Sequence, residues 1–211
     1  MILRGLVNYY DRLESTGEVA PPGYSPRPAS FALLLQPDGS FDVSDIRDPS
    51  TRKPRPRSVI VPVVDRTSGI KSKFLYDNTS YALGRSAKSK RVSEEHECFK
   101  NFHRRLFEGE VEGEDDQGIQ AFLNFLGIWS PEQFNTLRYA DELLDQNVIF
   151  KLDGDASYLH DRSAVKAIWS NRLASSSAEK GIVSSQVCGH PSKSCMHTST
   201  VSRCPGNLAL N

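Results

Sequence analysis

The chain has 211 residues, enough for one or two domains with a real core, and its composition, 38% hydrophobic and 25% charged, is that of a globular protein. No apolar run approaches the ~18 residues of a membrane span, and the first residues lack the charged, apolar, small-residue order of a secretory signal, so the expected address is the cytoplasm, without membrane contact. Net charge is zero but unevenly spread. Residues 1–91 hold 15 Lys and Arg against 9 Asp and Glu, a balance of +6, whereas residues 92–180 hold 9 against 17, a balance of −8. A first half that touches phosphate and a second half that faces protein or solvent would show this asymmetry.

Leu3, Leu6, Val7, Tyr10 and Leu13 recur with a helical period and predict an N-terminal helix with one apolar face, ended before Pro21-Pro22-Gly23. The apolar run 31–35, the turn Pro37-Asp38-Gly39 and the alternating Phe41-Asp42-Val43 predict an antiparallel β-hairpin. In residues 51–57, Arg52, Lys53, Arg55 and Arg57 alternate with prolines that favour an extended chain, which reads as a phosphate-tracking arm or as a solvated linker. Val59, Ile60, Val61, Val63 and Val64 come next as a strand, with Pro62 arguing for an edge or a bulge. The strand delivers a loop, residues 66–73, in which Thr67, Ser68 and Gly69 permit close backbone approach while Arg66, Lys71 and Lys73 suit phosphate or base edges. Asn78, which both donates and accepts, is a possible second reader or the cap of the segment holding Tyr81 and Leu83.

From Ser86 onward the pattern is helical. Val92, Cys98, Phe99, Phe102, Leu106 and Phe107 share spacings of three and four, and the acidic run 108–116 reads as an exposed connection. Ile119, Phe122, Leu123 and Leu126 mark a second helix, and Ser130-Pro131 the start of a third. Residues 148–152 form a strand closing at Asp153-Gly154, and 163–173 are amphipathic through Val165, Ile168, Trp169 and Leu173. His96 and His103 lie seven apart on one helix face but lack matching ligands apart from Glu95 or Cys98. Asp153, Asp155, His160 and Asp161 offer the ligands of a Mg²⁺ or Mn²⁺ nuclease centre, or simply turn and cap residues. There is no Gly-rich phosphate loop, hydrolase serine motif or HExxH, and the economical reading has no catalytic residue, no metal and no cofactor.

Several stretches resemble one family. Thr67-Ser68-Gly69-Ile70-Lys71, then residues 74–79 and Tyr81-Ala82-Leu83-Gly84, are similar to the large subunit of type I-C CRISPR surveillance complexes, the subtype Dvulg family. So are Met1-Ile2-Leu3 with residues 8–13, Pro21-Pro22-Gly23-Tyr24, Ser30-Phe31-Ala32-Leu33, residues 140–147 and Leu159-His160-Asp161-Arg162, in order over about 175 residues. Tyr76 stands where the family is expected to carry Trp, and family members run to several hundred residues. The resemblance implies a non-catalytic component of a CRISPR antiviral complex that contributes to protospacer-adjacent-motif recognition on double-stranded DNA. Its implied partners are the other complex subunits with crRNA, the target DNA and a recruited helicase-nuclease. The rival readings are a metal-dependent nuclease on Asp153, Asp155, His160 and Asp161, and a protein-binding scaffold without nucleic-acid contact.

The last 31 residues contain no acidic and no aromatic residue but three of the four cysteines. Cys188, His190, Cys195, His197 and Cys204 have poor spacing for a zinc site. Back-translated in the neighbouring frame, the tail resembles the family's own continuation past this point, which implies a frameshifted, truncated product. The expected fold is therefore α+β: a small antiparallel sheet with the N-terminal helix and basic loop in residues 1–84, a mainly helical region in 85–174 with one strand near 148–152, and a disordered tail in 175–211.

Overall fold

The computed structural model describes residues 2–16, 19–50, 52–64, 69–108 and 116–186. Residues 1–174 form one compact unit and residues 175–211 a second. In chain order the elements are α1 (Ile2–Ser15), β1 (Tyr24–Ala29), β2 (Phe31–Leu35), β3 (Phe41–Asp45), β4 (Arg57–Pro62) and β5 (Tyr76–Asn78). After them come α2 (Thr79–Ala82), α3 (Val92–Phe107), α4 (Gln117–Ile128), a 3-10 turn (Pro131–Thr136), α5 (Ala140–Leu143), β6 (Asn147–Leu152), a second 3-10 turn (Leu159–Asp161) and α6 (Ser163–Gln186). The class is α+β, as expected.

The β2–β3 hairpin pairs antiparallel from Phe31↔Asp45 to Leu35↔Phe41. Its turn needs a glycine: Gly39 has φ +89°, and a Cβ there would lie 2.5 Å from the backbone carbon of Asn124 in α4. β6 then inserts between β2 and β5, parallel to β2 (Phe31↔Val148 to Leu35↔Leu152) and antiparallel to β5 (Tyr76↔Ile149), giving a four-stranded sheet in the order β3-β2-β6-β5. The two regions distinguished by sequence thus share one sheet, whose single parallel pairing joins them.

Side chains alternate across this sheet. On one face Phe31, Leu33, Leu35, Val148, Phe150 and Leu152 meet the helices, with the Phe150 ring 4.8 Å from Phe122 of α4 and 6.0 Å from Phe99 of α3. Trp169 of α6 closes this core by stacking on Phe74 at 4.9 Å. On the other face Ala32, Tyr76 and Ile149 meet Ala29, Val59 and Val61 of a separate antiparallel ribbon, β1–β4, in register from Tyr24↔Pro62 to Ala29↔Arg57. Within residues 1–174 the layers are helices, sheet and ribbon.

β1 is absent from the sequence reading because Pro26 and Pro28 argue against a strand. Both sit on the side turned away from β4: the Pro28 carbonyl accepts from Tyr76 Oη at 2.9 Å and Asn147 Nδ2 at 3.1 Å, so neither missing N–H removes a rung of the β1–β4 ladder. Pro62 ends β4 in a ribbon whose strands pair only with each other, which fits the edge expectation.

On the apolar face of α1, Leu3 is 80% exposed and Leu6 and Val7 nearly 60%, while Tyr10 and Leu13 are partly buried. The segment at Pro131 is a 3-10 turn rather than an α-helix, and the Ser130 hydroxyl goes to Glu132 instead of capping the backbone. α6 runs on to Gln186, into the first residues of the segment read as the tail. The acidic run has only its ends, Glu108 and Asp116, inside the described residues, and the tail cysteines and histidines, Cys188 to Cys204, lie outside them, as does the segment read as frameshifted beyond residue 186.

Candidate nucleic-acid interface

The six residues of β4 separate the basic arm at one end from the basic loop at the other, a span of roughly 20 Å at ~3.3 Å per residue. The arm does not run straight in from its prolines. Asp48 N donates to the Arg55 carbonyl at 2.8 Å and Arg55 N to the Asp48 carbonyl at 3.1 Å, so residues 48–55 double back. Arg52 and Lys53 occupy the bend, Arg55 and Arg57 sit on the returning leg, and all four are exposed. Hydrogen bonds from Ser50 hold the Asp48 carboxyl below the ordinary carboxylate range, with a smaller pull from Arg57. Arg47 is committed elsewhere, to Asp45 through Nε at 2.9 Å and over the Phe31 ring at 4.7 Å.

Of the loop, Arg66, Thr67 and Ser68 lie outside the described residues. Gly69 has φ +73° with open space around it, so backbone conformation and not crowding calls for glycine. Lys71 is exposed; Lys73 is half-buried, its ammonium 4.8 Å from the Tyr76 ring centre. The segment after Gly69 is fastened from beneath. Lys73 N donates to Oδ2 of the fully buried Asp77 at 3.0 Å, and Asn78 N donates to its Oδ1 at 2.9 Å. Leu75, at φ +50°, donates its N–H to His103 Nε2 at 3.0 Å, and His103 Nδ1–H donates to the Phe99 carbonyl at 2.9 Å. Full burial pushes His103 down to about 3, so its neutral, Nδ1-protonated form couples this loop to α3.

Asn78 caps α2: its Oδ1 accepts from Ser80 Oγ at 2.7 Å and Tyr81 N at 3.4 Å, leaving the amide nitrogen as its donor for any other group. Beside Lys73 a groove of about 360 Å³ runs between ribbon and sheet, bounded by Arg27, Val61, Val63, Tyr76 and Asn147. Arg27 of β1 and Asn147 of β6 are polar wall residues that sequence reasoning missed. Arg27 is hidden in a Pro-Arg-Pro run with no strand signal, and Asn147 reaches the groove only through the β6 pairing. Asp77 was missed because its burial depends on long-range packing.

The alternative carboxylate centre is not assembled. Asp153 accepts from Gln36 Nε2 at 2.8 Å, Asp155 pairs with Arg162, and Asp161 lies 3.3 Å from Lys166 Nζ. His160 Nε2–H donates to the Ile60 carbonyl at 3.0 Å, tying the 3-10 turn to β4. His96 and His103 each turn Nδ1 to a backbone carbonyl, of Tyr81 and Phe99, rather than converging. Among the described residues no group of three or more His, Cys, Asp or Glu side chains is placed to hold a metal ion. Among them, too, no helix is long and apolar enough to cross a membrane.

No curated protein matches this sequence. Residues 6–204, most of the chain and all of the ribbon, loop and groove, match the model of the family Cas_Csd1, CRISPR-associated protein, and the chain belongs to that family.

Proposed function

We propose that the chain is the non-catalytic large-subunit component of a cytoplasmic type I-C CRISPR surveillance complex, contributing to protospacer-adjacent-motif recognition and DNA binding. In this reading it assembles with the crRNA-bearing subunits, and the DNA-bound complex recruits a helicase-nuclease. The observation that carries it is the line of cations along the ribbon: Arg52, Lys53, Arg55 and Arg57 on the arm, Arg27 opposite Val59, and Lys73 at the groove with Lys71 exposed nearby. A separation of roughly 20 Å matches about six base pairs of duplex at ~3.4 Å each, so one strand of phosphates can track the ribbon while the groove meets base edges. Phosphate contacts position and edge contacts specify, which assigns affinity to the arm and discrimination to Lys71, Lys73 and, through its amide nitrogen, Asn78.

Changing the four arm cations to Ala in the assembled complex should reduce the slope of log affinity against log salt by about 3.6. Lys71→Ala should weaken binding to the preferred motif by about 5- to 150-fold and binding to a scrambled motif much less. No DNA binding by the unmodified complex favours the scaffold reading. Metal-dependent cleavage of the duplex would revive the nuclease reading.

A further inference from the structure

Between α2 and α3 the chain carries Arg85, Lys88, Lys90 and Arg91, all exposed and none of them part of the arm or the Gly69 loop. They lead into a 16-residue helix whose first turn has no side-chain cap: Arg91 holds the cap position without a hydrogen bond from its side chain. The first N–H groups of such a helix, with the positive end of its dipole, attract an anion. A cavity of about 430 Å³ opens against this turn, walled by Arg85, Ser86, Ser93, His96, Lys100 and Glu132. His96 is 94% buried, yet only one of its ring nitrogens is used. Nδ1 faces the Tyr81 carbonyl at 2.8 Å, and because a carbonyl only accepts, Nδ1 carries the proton and Nε2 is left without a protein partner.

We propose that this turn, its basic loop and His96 form a second phosphate site, which takes a backbone phosphate of double-stranded DNA; the identity of the ligand rests on the DNA-binding role proposed for the chain. The carboxylates around it do not cancel the cations. Glu97 lies 3.7 Å from Lys100 Nζ, and Glu132 takes the Ser130 hydroxyl within the field of Arg85. Glu94 and Glu95 in the first turn oppose the anion; of the five cations, Lys100 and Arg85 already face Glu97 and Glu132, which leaves Lys88, Lys90 and Arg91 against two carboxylates.

His96 gives the site a pH signature. The groups around it are Glu97 and Lys100 on its own helix, Arg85 from the loop and Glu132 from the 3-10 turn. Burial lowers its pKa, aided by Lys100 and resisted by the Tyr81 carbonyl and Glu97, so it is neutral in the free protein at neutral pH. Only the imidazolium can donate from Nε2 while Nδ1 stays on Tyr81. Phosphate therefore binds with uptake of a proton, and affinity rises as pH falls.

The test is binding of a labelled DNA duplex by the assembled complex, across salt and pH, with the triple variant Lys88→Ala, Lys90→Ala, Arg91→Ala and separately with His96→Gln. The triple variant should flatten the salt slope by about 2.7, in addition to the arm's effect. Lowering pH from about 7.5 to 6 should tighten native binding about threefold, a change that His96→Gln abolishes. An unchanged slope in the triple variant, or the same pH response in native and His96→Gln complexes, overturns the proposal. If the arm variant flattens the slope and the triple variant does not, the second site alone falls; if the native complex shows no salt-dependent binding, the DNA reading falls with it.

Discussion

The two faces of the central sheet are built differently. Against the helices it sets large rings, Phe150 with Phe99, Phe122 and Phe125, all fully buried. Against the ribbon it sets a single ring, Tyr76, with Ala32 and Ile149, which meet Ala29, Val59 and Val61. Fully burying a large side chain contributes ~1.5–3 kcal/mol, so the helical face carries most of the hydrophobic stabilisation. On the other face polar ties fix the ribbon: Tyr76 Oη and Asn147 Nδ2 to Pro28, and His160 to Ile60. One face holds the fold together, while the other sets the position of the proposed DNA-contacting layer.

The largest expected effect lies on the helical face. Phe122→Ala should cost about 3–5 kcal/mol in urea unfolding, because five aromatic neighbours surround a cavity they cannot close. A loss below ~1 kcal/mol would mean that this face is not the principal source of stability. Gly39→Ala should cost at least ~2 kcal/mol by the same measurement, since positive φ and a clash with α4 backbone act together.

Acid comes next. His103 has a lower pKa folded, about 3, than the ordinary 6.5 of the unfolded chain. The unfolded state therefore binds the extra proton first; this contribution is complete above about pH 6.5 and is lost as pH falls toward 3, with about 2 kcal/mol gone by about pH 5. Burial lowers His96 and His160 as well, adding loss of the same sign. Unfolding midpoints that do not fall between about pH 7.5 and 5 would contradict the buried, neutral His103.

The smallest effect discriminates best between the faces. Tyr76→Phe removes one hydrogen bond, about 1 kcal/mol, and should speed amide exchange in β1 and β4 while leaving α3 and α4 protected. Uniform acceleration would show that ribbon and helices open together.

The features legible in the sequence were local ones. The period of α3, α4 and α6, the Pro37-Asp38-Gly39 hairpin and the β-branched run of β4 all announce themselves within a few residues. β1 was illegible because its prolines are harmless only on the side away from β4, and β5 because three residues carry no pattern. The candidate site divides likewise. The arm and loop cations stand out as charge beside glycine or proline, whereas Arg27, Asn147 and Asp77 acquire their surroundings only when β6 enters the sheet. The doubling back of the arm at Asp48 and Arg55 rests on backbone bonds that composition does not encode.

The place of β6 also bears on synthesis. β2 is five apolar or nearly apolar residues, Phe31 to Leu35, and its second neighbour in the sheet begins at Asn147. On a translating ribosome, at ~5–20 residues per second, that edge stays open for the time needed to make more than a hundred further residues. Until then the nascent β2–β3 hairpin is an adhesive strand edge, a natural client for a chaperone. Force-sensing arrest sequences placed along the gene should register no strong folding event until residue 152 has cleared the exit tunnel, and then a single late one.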